Sequence, residues 1–190
     1  RQIDAGLRQK LGGITMVAGV FRLAKPYFNL DARGRFGPLG QLVNRGIEAS
    51  VAGALTPSLS IVAGGVFSDP RVSGQAVASG VSGPLPVGAI RRRLNLSADW
   101  RPPFAPGLSF DIGLFANSST AATVNNAVHI PAQTFIDLGA RYGFRLAGHD
   151  AVLRAQIFNA GGVNGVYLEG AGAYGLNDGR VAQLYFTLDF

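Results

Sequence analysis

The stretch VAQLYFTLDF, from Val181 to Phe190, alternates apolar and polar side chains without a break. Its apolar positions are Leu184, Phe186, Leu188 and Phe190, and the positions between them carry Gln, Tyr, Thr and Asp. A period of two is the signature of a β-strand with one apolar and one polar face. The stretch therefore predicts a strand that runs to Phe190 with one face in an apolar environment.

The same alternation occurs eight more times along the chain. With the closing stretch it predicts nine strands: Gln2–Lys10, Ile14–Ala24, Gln41–Ala54, Leu59–Ser68, Arg91–Trp100, Leu108–Asn117, Ala132–Leu146, Ala151–Asn159 and Arg180–Phe190. Most have about the 9–11 residues that a tilted membrane strand requires. We therefore expect an all-β protein built from antiparallel strands.

The composition fits many strands that each have one apolar face. Hydrophobic residues make up 47% of the 190 residues and charged residues only 15%, against roughly 25% charged in typical soluble domains. No apolar run approaches the ~18 residues of a membrane helix. The 27 glycines and 10 prolines argue against long helices and for many turns.

Composition also excludes several classes of chemistry. The absence of cysteine rules out disulfides, thiolate metal sites and a cysteine nucleophile. The net charge of +6 could suggest nucleic acid, but the basic residues are scattered and their densest run is only Arg91-Arg92-Arg93. We expect no nucleic-acid partner.

The connections between the predicted strands alternate in length. The short ones are 12–13, 56–58, 102–107 and 147–150, and the long ones are 25–40, 69–90, 118–131 and 160–179. In an up-and-down meander every second connection emerges at the same end, so one rim carries tight turns and the other carries long loops. This sorting favours a transmembrane β-barrel over a soluble β-sandwich.

Aromatic residues near the strand ends support a membrane environment. Trp100, Phe144 and Phe190 fall at the short-turn end, and Phe67 and Phe21 at the long-loop end, where they predict interfacial girdles. A strand array in hydrocarbon must close so that every backbone group is paired. Nine antiparallel strands would close on a parallel seam, whereas single-chain bacterial barrels have even strand numbers. We therefore expect a partial barrel from a larger one.

No catalytic, cofactor or metal site is predicted. His129 lies in a predicted long loop and His149 in a predicted short turn, at opposite ends of the barrel, so they cannot ligate one metal or form a relay. Nucleotide-binding, serine-hydrolase and zinc-protease motifs do not occur. The chain is not expected to be an enzyme.

Several segments resemble TonB-dependent outer-membrane receptors, especially the ferric-siderophore receptors. The segment NRGIEASVAGALTPSLSIVAGGVFSD (Asn44 to Asp69) resembles a descending strand, an L-T-P turn and an ascending strand of that family. The segments IPAQTFIDLGARYGFRL, VLRAQIFN and LYFTLDF are similar to its last strands, in the same order. After Asn159 the chain reads AGGVNGVY, which departs from the family's usual run.

The resemblance implies a fold and a function. It implies a barrel of about 22 strands around a plug, with residues 1–190 as the C-terminal part of the barrel domain and the plug outside this chain. It further implies a ferric-siderophore receptor in the outer membrane of a Gram-negative bacterium, energised through TonB by way of the plug and the N-terminal region. The alternatives are a porin-like or structural outer-membrane barrel and a soluble β-sandwich binding module.

The predicted polar face carries charges that would be intolerable in lipid but reasonable against a hydrated plug. The residues that we expect to face the plug are Arg8, Glu48, Asp99, Asp137, Arg141 and Arg154. A merely solvated lumen wall is the alternative interpretation.

Two further sets of residues are implied by the family. Siderophore receptors gather aromatics at their outer rim, and the candidates for ligand contact here are Tyr27, Phe28, Phe36, Tyr167 and Tyr174. Loop packing is the alternative role for each of them. The apolar residues of the last strand, Leu184, Phe186, Leu188 and Phe190, resemble the signal read by the barrel-assembly machinery; an interfacial anchor is the alternative for Phe190.

Overall fold

The computed structural model describes residues 1–170 and 172–190. Nine long strands dominate it: β1 (Gln2–Leu11), β2 (Ile14–Leu30), β3 (Phe36–Thr56), β4 (Leu59–Ser68), β6 (Arg92–Trp100), β7 (Leu108–Asn117), β10 (Gln133–Leu146), β11 (His149–Phe158) and β14 (Val181–Leu188). Every one corresponds to a strand predicted from the period-2 pattern.

The remaining elements are short and lie in the connections. They are β5 (Arg71–Ser73), α1 (Gln75–Ala78), β8 (Thr120–Ala121), β9 (His129–Ile130), β12 (Val166–Gly170) and β13 (Ala173–Leu176). No helix among the described residues is long and apolar enough to cross a membrane.

The nine long strands form one antiparallel sheet in chain order. The order is β1-β2-β3-β4-β6-β7-β10-β11-β14, with β5 paired to the upper part of β3. Every long strand therefore pairs only with its neighbours in sequence. This confirms the predicted antiparallel up-and-down meander.

Tight turns collect at one end of this sheet. The turn between β10 and β11 consists only of Ala147 and Gly148, both with positive φ (52° and 88°), which is the requirement of a type I′ hairpin. The opposite end carries the segments 69–91, 118–132 and 159–180. The predicted sorting of short and long connections is therefore present.

The first predicted long loop is instead mostly strand. We expected a connection over 25–40, but β2 runs on to Leu30 and β3 begins at Phe36. The turn between them is held by Asp31, whose Oδ1 accepts hydrogen bonds from the backbone N–H of Arg33 (2.8 Å) and Arg35 (2.9 Å). A local side-chain clamp thus allows the two strands to continue as a hairpin beyond the rest of the sheet.

The same contacts affect the acidity of Asp31. The backbone N–H of Arg35, followed by that of Arg33 and the Arg35 guanidinium, lowers the pKa of the Asp31 carboxyl from its ordinary value of 3.8. The pKa of this carboxyl is lower in the folded protein than in the unfolded chain. Its contribution to the stability of the fold is therefore fully present above pH 3.8 and is lost as the pH falls through the folded pKa.

The two faces of the sheet differ in chemistry across its middle. One continuous row is Ile61, Ala98, Ile112, Leu138, Ile157 and Ala182, and another, on the opposite face, is Ser60, Asp99, Asp111, Gly139, Gln156 and Gln183. We call these the apolar face and the polar face. Side chains of the apolar face are widely exposed, for example Leu184 at 70%, so their burial must come from outside the chain.

Few residues are buried within the chain itself. Among the buried apolar side chains, Leu39, Val72, Ala76, Ala121, Ala122 and Ile130 belong to the long-loop end. The internal core of the described residues is therefore the layer of packed loops, not the sheet.

The predicted girdle at the short-turn end is present on the apolar face. Trp100 stacks on Phe110 with ring centroids 5.9 Å apart, Tyr142 stacks on Phe144 at 5.5 Å, and Phe144 lies 6.5 Å from Phe186. Aromatic rings of this kind are enriched at membrane–water interfaces.

Two aromatic predictions were wrong in detail. Phe21 was expected on the apolar face, but it follows Val20 and therefore points to the polar face, where a Cβ on the facing Gly46 would lie only 2.6 Å from its ring. The last strand ends at Leu188 and not at Phe190. Phe190 is fully exposed, with its ring 5.9 Å from that of His149.

The assignment of the two faces can be tested by single arginine substitutions in the whole barrel. We expect Leu96→Arg and Ile112→Arg each to lower the free energy of folding into lipid vesicles by about 2–4 kcal/mol, because both sites lie in the middle of the apolar face. Ser97→Arg, on the polar face, serves as the control and should cost much less. Equal costs on both faces would contradict the assignment.

Candidate ligand site at the long-loop end

The long loops are joined by hydrogen bonds into one layer. Asn126 links two of them, because its side chain accepts a hydrogen bond from the N–H of Leu85 and donates one to the Leu85 carbonyl, both at 2.8 Å. The N–H of Gly83 donates to the Val124 carbonyl at 2.8 Å. The loop 69–91 and the loop 118–132 therefore hold each other in place.

Two of the predicted ligand-contact residues take part in this layer. The Tyr27 hydroxyl lies 3.3 Å from the Oγ of the buried Ser82 and accepts a hydrogen bond from the Asn29 amide at 3.2 Å. The Tyr174 hydroxyl donates to the Ala122 carbonyl at 2.8 Å. Each tyrosine thus ties its own segment to a neighbouring loop, and its hydroxyl is already engaged.

The other three predicted residues form two separate groups. Phe28 and Phe36 stack at 5.8 Å near the tip of the β2–β3 hairpin and are strongly exposed. Tyr167 lies in the β12–β13 hairpin and donates a hydrogen bond to Glu169 at 3.2 Å. This bond raises the pKa of the Tyr167 phenol, so the phenol stays protonated at neutral pH. The five residues therefore do not form one cluster.

A recess of about 580 Å³ opens beside Tyr167, where the polar face meets the last loop. Its aromatic lining consists of Phe115, Phe135, Phe158 and Tyr167, and its polar lining includes Asp137, Asn159, Asn177, Asp178 and Gln183. Flat apolar rings with a few amides and carboxylates are the usual lining of a small-molecule site.

Three of these aromatics were missed by sequence reasoning. Phe115, Phe135 and Phe158 lie on the polar face of β7, β10 and β11, all near the long-loop end. The rings of Phe115 and Phe135 lie 6.5 Å apart, and the Arg93 guanidinium lies 5.5 Å from the centre of Phe115. The available signal was an aromatic interrupting the polar alternation near the long-loop end of three strands, with Phe115 and Phe135 directly paired and Phe158 one row below them.

The polar groups of the recess offer hydrogen bonds to a ligand. The Nδ2 of Asn177 is buried and has no hydrogen-bond partner among the described residues. Among the described residues 1–170 and 172–190, no group of three or more His, Cys, Asp or Glu side chains could hold a metal ion. The arrangement can therefore bind a flat or apolar ligand by stacking and hydrogen bonding.

The chain is similar over its whole length to parts of known receptors. No protein-family model matches it. It is 27% identical over its whole length to the ferrichrome receptor FcuA of Yersinia enterocolitica, of which it covers 25%. Its fold matches BauA, the ferric preacinetobactin receptor of Acinetobacter baumannii, with a TM-score of 0.84 and 26% identity, over the whole chain and 29% of BauA. The fold of the chain is therefore that of part of a receptor β-barrel.

Other solved receptors share this fold at lower identity. The ferric yersiniabactin uptake receptor FyuA of Yersinia pestis matches the whole chain with a TM-score of 0.76 at 14% identity. The chain spans about a quarter of the length of the curated relative. The relatives are receptors, which confirms the expectation that the chain is not an enzyme.

All six residues predicted to face the plug lie on the polar face. Arg154 pairs with Asp111 at 3.6 Å, and Arg141 pairs with Asp99 at 4.0 Å. Arg141 also donates to Ser109 at 3.3 Å. Part of this charge is therefore neutralised within the sheet, and contact with a plug stays a prediction.

Glu48 and Arg8 differ from the charges of the later strands. Glu48 packs over Gly19, where an added Cβ would lie 3.3 Å from its carboxylate oxygen. Neither Glu48 nor Arg8 makes a salt bridge within the described residues. Asp137 accepts the backbone N–H of Asn159 at 2.8 Å and thereby joins the polar face to the last loop.

Asn159 is the residue that holds the last loop of the receptor over the recess. It is buried, adopts a positive φ of 49°, and its amide donates to the carbonyls of Val163 (2.8 Å) and Asp178 (3.0 Å). Its Oδ1 accepts the N–H of Val163 at 2.9 Å. Both ends of the loop 159–180 are thus fixed by one side chain.

Replacing Asn159 by Ala should loosen this loop. The change removes the donor from the partly buried carbonyls of Val163 and Asp178, at no more than about 1–3 kcal/mol. Alanine also lacks the polar side chain that lets asparagine hydrogen-bond locally at a positive φ. We expect faster proteolytic cleavage within 159–180 in the folded receptor. The control is Asn125→Ala in the loop 118–132, and equal cleavage of the last loop in wild type and Asn159→Ala would contradict this role.

Proposed function

We propose that the protein containing this chain imports a ferric siderophore across the outer membrane of a Gram-negative bacterium, energised through TonB. The observation that carries the proposal is the aromatic recess at the long-loop end of the polar face. The two relatives above 25% identity, named for ferrichrome and for ferric preacinetobactin, support the same substrate class.

The chain is then the C-terminal part of one barrel, closed by strands and filled by a plug that belong to the rest of the protein. The sheet ends at β1 and β14, and neither edge has a further partner within the described residues. In hydrocarbon such edges require pairing, which further strands of a barrel of about 22 would supply. A porin-like barrel, the alternative, would need no energy coupling.

The chemistry of the recess favours one kind of chelate. Asp137 and Asp178 carry negative charge into its lining, and the Arg93 guanidinium lies over the ring of Phe115. A highly anionic chelate would be repelled by the two carboxylates, whereas a neutral chelate with apolar edges would stack on the rings. We propose that neutral ferric hydroxamates are preferred to trianionic ferric catecholates.

Binding and uptake assays can test this function in an iron-starved strain that expresses the parent receptor, which is the whole protein that contains this chain. We expect Phe135→Ala and Phe158→Ala each to weaken binding of a neutral ferric hydroxamate by about 2–13-fold, because each removes an aromatic contact of about 0.5–1.5 kcal/mol. Phe110→Ala, on the apolar face, is the matched control. Uptake that persists without TonB, or an equal loss in Phe110→Ala, would contradict the proposal.

The apolar residues of the last strand are proposed to recruit the barrel-assembly machinery. Leu184, Phe186 and Leu188 lie on the apolar face of β14, whose outer edge has no partner among the described residues, and Phe190 projects beyond it. A free edge with regularly spaced side chains can be captured by adding it to another sheet.

Deleting Phe190 from the parent receptor should lower the amount assembled in the outer membrane much more than the stability of the assembled fraction. Trp100→Ala removes another girdle aromatic, on β6, whose ring contacts Phe104 and Phe110 and no residue of β14, and is the control. Quantifying assembly yield and denaturant resistance in cells separates the two roles. An unchanged assembly yield with reduced stability would contradict the proposal and would show that Phe190 acts only as an interfacial anchor.

A further inference from the structure

The last loop contains the only Asn-Gly dipeptide of the sequence, Asn164-Gly165. It lies in the irregular segment between Asn159 and the start of β12 at Val166. In an Asn-Gly pair the backbone nitrogen of the glycine can approach the side-chain amide of the asparagine, because glycine has no Cβ to hinder it. Asn164 is therefore placed for a spontaneous covalent change.

The two groups that would react have no other partner in the described part of the chain. Asn164 is exposed, and no hydrogen bond among those residues engages its side chain or the N–H of Gly165. Asn125 is also exposed, but its Oδ1 accepts hydrogen bonds from the Thr123 hydroxyl (2.7 Å) and the N–H of Ala127 (3.1 Å). The Asn164 side chain can thus turn back on the main chain without breaking a contact, whereas that of Asn125 cannot.

The packing of the loop favours glycine at position 165. A Cβ at this position would lie 2.7 Å from Nε2 of Gln133, and this same amide donates a hydrogen bond to the Val166 carbonyl at 3.2 Å. A side chain at 165 would have to displace the Gln133 amide from that bond. The contact that holds the start of β12 therefore also preserves the reactive dipeptide.

Both neighbours of Asn164 are fixed to residues that line the recess. The N–H and the carbonyl of Val163 are bound by the Asn159 side chain, at 2.9 and 2.8 Å. The Gly165 carbonyl accepts the N–H of Asn177 at 2.9 Å. Asn159 and Asn177 both line the recess. Position 164 is thus a single residue between two anchored points, and any change in backbone length must be absorbed there.

We propose that Asn164 is a site of deamidation that loosens the last loop as the protein ages. The Gly165 nitrogen attacks Cγ of Asn164, the Cγ–Nδ2 bond breaks, and ammonia leaves with the proton from the Gly165 nitrogen. Water then opens the cyclic succinimide at either carbonyl and yields aspartate or isoaspartate. Both products carry a new negative charge, and in isoaspartate the main chain is one methylene longer.

The longer backbone of isoaspartate acts directly on the two anchors. An extra methylene between Val163 and Gly165 cannot keep both in register with Asn159 and Asn177. Losing one of these hydrogen bonds removes about 0.5–1.5 kcal/mol of local stability, and an exposed loop is where such a loss increases opening most. The modification therefore frees the loop that forms one wall of the recess.

Peptide mapping of the parent receptor, purified in detergent and aged at mildly alkaline pH, tests the chemistry. We expect Asn164 to gain the mass of an Asn-to-Asp conversion and to become a substrate for isoaspartyl methyltransferase. The rate should rise about tenfold per pH unit, because the Gly165 nitrogen loses a proton in the attack. Asn125 is the internal control and should stay unchanged.

The variant Asn164→Gln should lose the conversion, because its longer side chain does not form the same ring. Isomerisation at Asp178-Gly179 leaves the mass unchanged and is thereby distinguished. Conversion of Asn164 no faster than that of Asn125 would overturn the proposal.

Limited proteolysis within residues 159–180 tests the effect on the loop. Aged wild type should be cleaved about 2–13-fold faster than fresh protein, the factor that one lost hydrogen bond corresponds to, and aged Asn164→Gln should keep the fresh rate. Freshly prepared Asn164→Asp has the charge without the extra methylene and should match fresh wild type. Equal cleavage of fresh and aged wild type, or rapid cleavage of fresh Asn164→Asp, would overturn the role of the lengthened backbone.

Discussion

The whole structure depends on the pairing of backbone N–H and C=O groups between neighbouring strands in a medium that offers no water. Because no polar group can be left open in hydrocarbon, the strands must stay in register along their full length. A fixed register with a period of two assigns every side chain to one of two faces. From Ile61 to Ala182 one row stays apolar, and from Ser60 to Gln183 the opposite row stays small or polar.

The two faces then stabilise the protein in different ways. The apolar face has no partner within the chain and obtains its burial from lipid, whereas the polar face is held by pairs such as Arg154 with Asp111. The only compact interior of the described residues is the loop layer, where Asn126, Tyr174 and Asn159 satisfy backbone groups of neighbouring loops. The candidate ligand site and the apolar face thus lie on opposite sides of a single sheet.

Sequence reasoning could predict what depends on local periodicity. The nine strands, their alternation, the sorting of the connections and the girdle around Trp100 all follow from patterns within about ten residues. Prediction was wrong where a local contact changed the pattern, as at Asp31, whose side chain closes a hairpin in the expected loop 25–40. It was also wrong for Phe21, which was expected on the apolar face. Because Val20 lies on the apolar face, the alternation places Phe21 on the polar face.

The candidate site was less accessible from sequence, because its members come from different strands. Phe115, Phe135 and Phe158 come together only through the register of β7, β10 and β11. Tyr27 and Tyr174, which are predicted to contact a ligand, also join loops through their hydroxyls, and this second role has no local sequence signal. Long-range register, which a single sequence does not encode locally, decides these placements.

Site-directed spin labelling in the lipid-reconstituted receptor tests the central claim, that one face of this sheet contacts lipid and the other contacts water. The chain has no cysteine of its own, so single cysteines can be placed at each position from Arg93 to Asp99. Oxygen accessibility should be high at Leu94, Leu96 and Ala98, and a water-soluble nickel chelate should reach Arg93, Asn95, Ser97 and Asp99. Accessibility without a period of two, or with the two reagents exchanged, would contradict the account.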